Sequence, residues 1–280
     1  MSSIDSLMRG SIDMHVHFGP DPRMERRMDA LEGARQAQKA GMRAIVLKNH
    51  DYPTAPLAQI IGPLVPDIAI IGSITLNFQV GGLNVYALEA SAKLGAKVIW
   101  MPTMSSRAFK MAGVSGEGLT LLDKMGGLVP AVGEILDITK HYQMVVATGH
   151  ISVAEAFALV SEVKNRGLSR VVVTHAIHAF TVQEQRQLAD MGAFIEQCFI
   201  ITTFGPGDPV ERVDPSRMAE VIRTVGAERC ILCTDFGQAS RPAPCEGMRM
   251  MIATMLDCGL SEQEIEILVK VNPARLLGLD

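Results

Sequence analysis

Aromatic side chains are few in this sequence: Phe, Tyr and Trp make up 5% of 280 residues, and there is one Trp. Stacking platforms for nucleobases are therefore not expected. Concentrated positive charge is lacking as well, because 26 Lys and Arg are set against 30 Asp and Glu and form no cluster. These two absences argue against nucleic acid as a partner.

Cysteine is scarce: the five residues are scattered along the sequence, and their odd number and irregular spacing suggest no disulfide framework. This usage predicts a cytoplasmic protein with reduced thiols. Cys230 and Cys233 form a CxxC within "CILCTD", but no second pair completes a zinc site. We therefore predict that they are buried core thiols rather than a metal or redox centre.

Long apolar runs are also missing, and the N-terminal "MSSIDSLMRG" lacks the basic and apolar segments of a signal peptide. We expect no membrane partner. Seventeen methionines and the stretch "MRMMIATML" (248–256) leave homo-oligomerisation open, although Met-rich helices more often belong to a core.

The sequence does contain short apolar runs that alternate with longer stretches of helical periodicity. Most runs are continuous and β-branched, as is typical of parallel strands buried on both faces. We predict strands at 11–17, 43–49, 68–76, 97–103, 143–150, 170–175, 193–199 and 230–235.

Helix signals separate these strands. "TVQEQRQLADMG" has a Thr cap and a terminal Gly192, and "DPSRMAEVIRTVG" begins with Asp214 and Pro215. Further helices are predicted to end at Gly41, Gly95 and Gly167. Eight βα units without a break in composition predict an α/β fold, a single (β/α)8 TIM barrel over residues 1–280. A doubly wound sheet is the alternative.

One connection is too long for a single helix. Between the fourth and fifth strands, "GLTLLDKMGGLVPAV" (118–132) has the pattern of a β-hairpin that turns near Met125–Gly127. The helix "GEILDITKHY" follows it. We predict an insertion over the top of the barrel.

Polar side chains follow several of the predicted strands at the end where TIM barrels carry their chemistry. His15 and His17 end the first strand, so both imidazoles point to the same side. The full set is His15, His17, His150, His175 and Asp235. Imidazole and carboxylate groups suit zinc, iron or manganese, and such an ion would lower the pKa of bound water.

These residues resemble the amidohydrolase superfamily of metal-dependent hydrolases. The matching motifs are "DMHVHF", "ATGH", "VTHA" and "CTDFG", with "NPARLLGL" (272–279) near the C-terminus. The resemblance implies that His15, His17 and Asp235 bind a first metal. It implies a second metal at His150 and His175, or His150 as ligand and His175 acting on the water or scissile bond. It also implies that Asp235 is the general base.

The sequence departs from the two-metal pattern of that superfamily. The fourth strand ends "VIWMPT", without the bridging Lys or Glu of two-metal members. We therefore favour one ion, most simply zinc, over two. An unusual bridge remains the alternative, and Lys48 on the second strand is the residue suspected.

Loop cations favour a small anionic substrate, with Arg23 and Arg241 as the preferred contacts and Lys48 and His50 as further substrate-binding candidates. The leading hypothesis is metal-dependent hydrolysis of an amide, lactam, lactone or ester-like bond. A metal-dependent non-oxidative decarboxylase is the alternative, and phosphoester hydrolysis is a third. The non-enzyme alternative is a barrel with a structural metal site.

Overall fold

The structure is a computed structural model, described here for residues 3–109, 117–204 and 211–279. Within these ranges the chain forms short buried strands alternating with helices. The strands are β1 Ile12–His17, β2 Ala44–Lys48, β3 Ala69–Ile71, β4 Ser73–Thr75, β5 Val98–Trp100, β6 Val145–Ala147, β7 Val171–Val173, β8 Phe194–Cys198 and β9 Cys230–Cys233.

The helices alternate with these strands along most of the chain. They are α1 Ser3–Met8, α2 Ala30–Lys39, α3 Ala55–Ile61, α4 Val85–Lys93, α5 Pro130–His141, α6 Val153–Asn165, α7 Ala176–Ala179, α8 Val182–Asp190, α9 Pro215–Val225, α10 Pro244–Asp257, α11 Glu262–Glu266 and α12 Asn272–Leu277. A π-helical turn, Ile267–Val271, joins the last two.

The residues group into two compact units. Unit 1 comprises the described residues of Met1–Leu47, Ile60–Ile70 and Glu196–Asp280. Unit 2 comprises those of Lys48–Gln59 and Ile71–Ile195. The prediction of a single domain over residues 1–280 stays a prediction.

In unit 1, every residue of β1 is buried. Two backbone hydrogen bonds join β1 to the residues that follow β9. The Asp235 amide donates to the His15 carbonyl, and the His17 amide donates to the Phe236 carbonyl. These bonds bring the polar ends of the two strands side by side.

In unit 2, parallel strands pair in the order β4, β5, β6, β7 and the first residues of β8. Ser73 pairs with Val98, Val98 with Val145, and Val172 with Phe194. The strands β4 to β7 are buried throughout, which explains their continuous rather than alternating apolar sequences.

The predicted elements are found with shifted boundaries. The predicted third strand is divided at Gly72 into β3 and β4, where Thr54 hydrogen-bonds with the backbone of Ser73 through both its amide and its hydroxyl. The predicted caps are confirmed: Asp214 accepts from the Ser216 amide, and Thr181 forms a capping box with Glu184.

The long connection before β6 turns where the sequence predicts. Leu122 and Leu128 form one antiparallel bridge, and Asp123 accepts the amide hydrogens of Met125 and Gly127. No strand is assigned among the described residues of this connection, since the pairing is limited to that bridge. The following helix, α5, begins at Pro130, three residues earlier than predicted. Residues 110–116 of the connection lie outside the described residues.

The Met-rich stretch belongs to α10 and faces the interior of unit 1. Met248, Met251 and Met255 are fully buried, whereas Met250 is 41% exposed. The stretch therefore supplies core packing. None of the helices within the described ranges is both long and apolar enough to span a membrane.

Candidate metal centre

The ends of β1 and β9 bring His15, His17 and Asp235 together in unit 1. One carboxylate oxygen, Asp235 Oδ1, lies 3.0 Å from His15 Nε2 and 3.1 Å from His17 Nε2. The three potential ligand atoms lie within 4.8 Å of one another. Two imidazole nitrogens and a carboxylate oxygen at this spacing fit a divalent ion such as zinc.

Burial favours the ligand form of His17. It lowers the pKa of His17 to about 3, and the nearby charge of Arg26 acts in the same direction, outweighing the hydrogen bond to Asp235. The imidazole is therefore neutral at neutral pH. A neutral ring retains the lone pair that a metal requires.

Glu196 holds the other nitrogen of the His15 ring. Its Oε1 lies 3.1 Å from His15 Nδ1, and both side chains are fully buried. A carboxylate at this position fixes the tautomer that leaves Nε2 available as a ligand. Sequence reasoning missed Glu196, although a glutamate inside the apolar run "AFIEQCF" is the signal that could have identified it.

Asp13 joins the two strands beneath the cluster. Its carboxylate accepts hydrogen bonds from the amides of His15 and Thr234 and from the Thr234 hydroxyl. Burial raises the pKa of Asp13 to about 7 in spite of these bonds, which act to lower it. Asp13 thus positions the backbone that carries His15 and Asp235.

Gly237 permits the close approach of this backbone. It has a φ of 146°, and a Cβ atom there would lie 1.8 Å from the His17 carbonyl oxygen. Any side chain would force the two strand ends apart. The glycine of "CTDFG" is therefore a geometric requirement of the cluster.

A second group of histidines lies in unit 2. His50 Nδ1 is 2.9 Å from the Thr103 hydroxyl, which also accepts from the Asn77 side chain. Asn77 further binds the His50 carbonyl and, through Oδ1, the amides of Thr103 and Ser105. This buried network fixes the His50 ring by hydrogen bonding.

His150 and His175 are neighbours in the same unit, with ring centroids 5.1 Å apart. Phe109 packs against His150 at 4.3 Å between centroids, and the His50 ring lies 6.5 Å from it. Gly149 is needed before His150, because a Cβ there would lie 2.2 Å from the Met101 carbonyl oxygen. The structure thus places His50, His150 and His175 together in unit 2.

Lys48 is buried at the end of β2. Its Nζ lies 4.1 Å from the centroid of the Trp100 ring, a cation–π geometry. Its suspected part in bridging two metals, or in binding substrate, stays a prediction.

Residues 10–196 match a family model described as Family of unknown function (DUF6282), more than half of the chain. The chain belongs to this family. No curated protein is significantly similar to this DUF6282 member in sequence.

Solved structures resemble the chain over nearly its whole length. An amidohydrolase from Pseudomonas aeruginosa is 14% identical with a TM-score of 0.63, covering 99% of this chain and 98% of that one. A lactonase from Listeria monocytogenes is 11% identical with a TM-score of 0.63, and the match covers 97% of this chain and 95% of that one. An organophosphorus hydrolase from Deinococcus radiodurans is 16% identical with a TM-score of 0.63, and the match covers 96% of this chain and 92% of that one. This DUF6282 member therefore has the amidohydrolase fold, and the predicted TIM-barrel class is confirmed.

The cations predicted to bind substrate differ in their surroundings. Arg23 is exposed, and its amide donates to Asp21. Arg241 donates to the Thr203 carbonyl at 2.7 Å and lies over the Phe204 ring. Arg26, in contrast, is almost fully buried. Substrate contacts by Arg23 and Arg241 stay predictions.

The remaining reactive side chains fit structural roles. Cys230 and Cys233 are fully buried free thiols in β9, and burial raises the pKa of both. The prediction of core thiols is confirmed. His141 and His178 are exposed, in line with their position away from the strand ends.

Proposed function

We propose that this protein is a metal-dependent hydrolase that cleaves an amide, lactam, lactone or ester-like bond of a small anionic molecule. The observation that carries the proposal is the buried cluster of His15, His17 and Asp235, with Glu196 behind His15. Proteins named amidohydrolase and lactonase share the fold, which supports hydrolysis as the class of reaction.

His15, His17 and Asp235 would hold the metal. A divalent ion in such a site supplies Lewis-acid activation of water and of the scissile bond. Glu196 keeps the His15 ring in its ligand tautomer, and Asp13 fixes the strand end. Asp235, with a side chain 12% exposed, is the group we assign to accept and return the proton.

The roles of His150 and His175 are a separate part of the proposal. Both lie in unit 2 with their rings adjacent, and His175 is held in an unusual backbone conformation. We assign His150 as a further ligand and His175 as the group that orients water or polarises the scissile bond. One zinc ion remains favoured over two.

The first test is elemental analysis of the full chain, purified without a histidine tag. We expect one equivalent of zinc, iron or manganese in the wild type and none in the His15→Ala/His17→Ala variant. His141→Ala, which changes an exposed histidine, is the matched control and should retain the metal. Absence of metal from all three proteins after reloading would contradict the proposal.

Two equivalents would contradict the one-ion assignment, and Lys48→Met would then be expected to lose one. A panel of small lactones, lactams, N-acyl compounds and dipeptides follows on the metal-loaded protein. Hydrolysis consumes water, whereas the decarboxylase alternative releases CO₂. Release of CO₂ without hydrolysis of any compound would replace the proposed reaction.

A further inference from the structure

Arg26 is a buried cation beside the candidate metal ligands in unit 1. Its Nε and Nη2 atoms lie 2.8 and 2.7 Å from Asp21 Oδ2, and both side chains are 2% exposed. Nη2 also lies 3.4 Å from His17 Nδ1, at the long limit of hydrogen bonding. The ion pair thus fixes the position of the guanidinium through two of its three nitrogen atoms.

The third nitrogen is buried and unsatisfied. Arg26 Nη1 has no hydrogen-bond partner among residues 3–109, 117–204 and 211–279. Such atoms are rare in folded proteins, because desolvating a polar group without a partner is unfavourable. A donor of a charged group left in this state indicates a site for an anionic acceptor.

Gln238 presents the complementary case. Its Nε2 donates to the Asp235 carbonyl at 3.3 Å, whereas its buried Oε1 has no partner within the same described ranges. The bond to a carbonyl oxygen identifies the nitrogen end of the amide, since an oxygen there would face another acceptor. Oε1 therefore requires an N–H or O–H donor.

The two residues are brought together by the backbone. Arg26 and Gln238 form an antiparallel bridge, and the Arg27 amide donates to the Gly237 carbonyl at 2.9 Å. Residues directly opposite in such a bridge project their side chains to the same face. The unsatisfied donor of Arg26 and the unsatisfied acceptor of Gln238 therefore belong to side chains on the same face of this bridge. Arg26 contacts the His17 ring, and Gln238 contacts the Asp235 carbonyl.

We propose that Arg26 and Gln238 form a recognition site for a carboxylate whose neighbouring carbon bears an N–H or O–H group. Arg26 Nη1 donates to the carboxylate, and Gln238 Oε1 accepts from the adjacent donor. The substrate class is that of α-amido or α-hydroxy acids. This inference rests on the proposed function for its relation to catalysis, but the binding itself is measurable separately.

The test compares two probes of nearly equal shape, N-acetylglycine and the uncharged N-acetylglycinamide, titrated calorimetrically into metal-loaded and metal-free protein. We expect the wild type to prefer the carboxylate. Arg26→Lys keeps a positive charge opposite Asp21 but loses the planar fork, and should weaken N-acetylglycine binding about 10- to 100-fold with little effect on the amide.

Gln238→Leu is the second variant, because it leaves no buried charge unpaired. It should weaken both probes, since both carry the N–H group. Arg217→Gln, which changes an exposed arginine of α9, is the matched control and should bind as the wild type does. Unchanged affinities in Arg26→Lys and Gln238→Leu, or no preference for the carboxylate in the wild type, would overturn the inference.

Metal content is measured on the same samples, so that failure of the recognition site can be distinguished from failure of the proposed hydrolase. Protein without metal that still prefers N-acetylglycine through Arg26 supports the recognition site and contradicts the hydrolase. Protein with one metal and no Arg26-dependent binding supports the hydrolase and overturns the recognition site.

Discussion

At the scale of single residues, two of the proposed functional side chains have a left-handed backbone. His175 has a φ of 51° and Asp235 a φ of 55°. This region is unfavourable for residues other than glycine, because Cβ crowds the backbone. Each residue lies two positions after the last residue of a buried strand, β7 or β9.

The left-handed backbone of His175 predicts which of two variants that remove the imidazole is the more stable. His175→Gly should be more stable than His175→Ala by about 1 kcal/mol, because only the alanine carries a Cβ in this region. Urea unfolding of both proteins measures the difference. Equal stability, or a more stable alanine variant, would show that the backbone strain is absent.

A second prediction at this scale concerns Glu196. Glu196→Leu should weaken metal binding about 10- to 100-fold, because the His15 ring loses the partner that fixes its tautomer. Glu196→Gln should retain most of the affinity, since its amide oxygen still accepts from Nδ1. Competition with a chromogenic chelator measures both. Equal losses in the two variants would indicate a role for packing or charge rather than for the hydrogen bond.

At the scale of elements, the start of α6 is joined to the connection before α5. Glu155 belongs to a capping box with Ser152 and also accepts from the Thr120 hydroxyl and the Leu121 amide, each at 2.7 Å. Burial alone would raise the pKa of Glu155, but the hydrogen bonds from Ser152, Thr120 and Leu121 together outweigh this effect and hold the pKa below its usual value.

We therefore expect Glu155→Gln to lower the free energy of unfolding by about 1 to 3 kcal/mol at neutral pH. The contribution of the carboxylate is present above the unfolded pKa of about 4.5 and is lost as the pH falls through the lower folded value. The difference between variant and wild type should accordingly narrow in acid. Urea unfolding between pH 7 and pH 3 measures it.

Glu184→Gln is the matched control, because Glu184 forms the same capping box with Thr181 at the exposed start of α8. Its effect should be smaller, since Glu184 is only half-buried and its capping bonds remain within one helix start. A loss as large as that of Glu155→Gln would mean that the cap alone, rather than the contact with residues 120–121, accounts for the stability.

At the scale of the whole molecule, metal and folding are linked through unit 1. The proposed ligands lie at the ends of β1 and β9, which are more than two hundred residues apart in sequence. An ion that binds them in the folded protein alone stabilises it by mass action.

Zinc at 100 times its dissociation constant should therefore raise the free energy of unfolding by about 2.7 kcal/mol. Asp235→Asn should abolish most of this increase, and His141→Gln should leave it unchanged. Chemical unfolding with and without zinc measures the effect. Equal stabilisation of Asp235→Asn would place the ion elsewhere in the molecule.

The sequence by itself determined the class of fold and the identity of the candidate ligands. Apolar runs and helix caps act locally, so strands and helices could be located within a few residues of their observed ends. Histidines that follow such strands, as in "DMHVHF", stood out because nothing in local packing requires them. The motif "CTDFG" also pointed to Asp235, and the structure places it against both His15 and His17.

Only the tertiary structure decided which other groups surround those ligands. Glu196 lies 181 residues from His15 in sequence, and the paired positions of Arg26 and Gln238 depend on a bridge between distant segments. The Arg26 side chain is buried whereas Arg23 is exposed, although both occur in the same short loop. Partners of this kind are set by three-dimensional packing and desolvation, which leave no regular spacing in the chain.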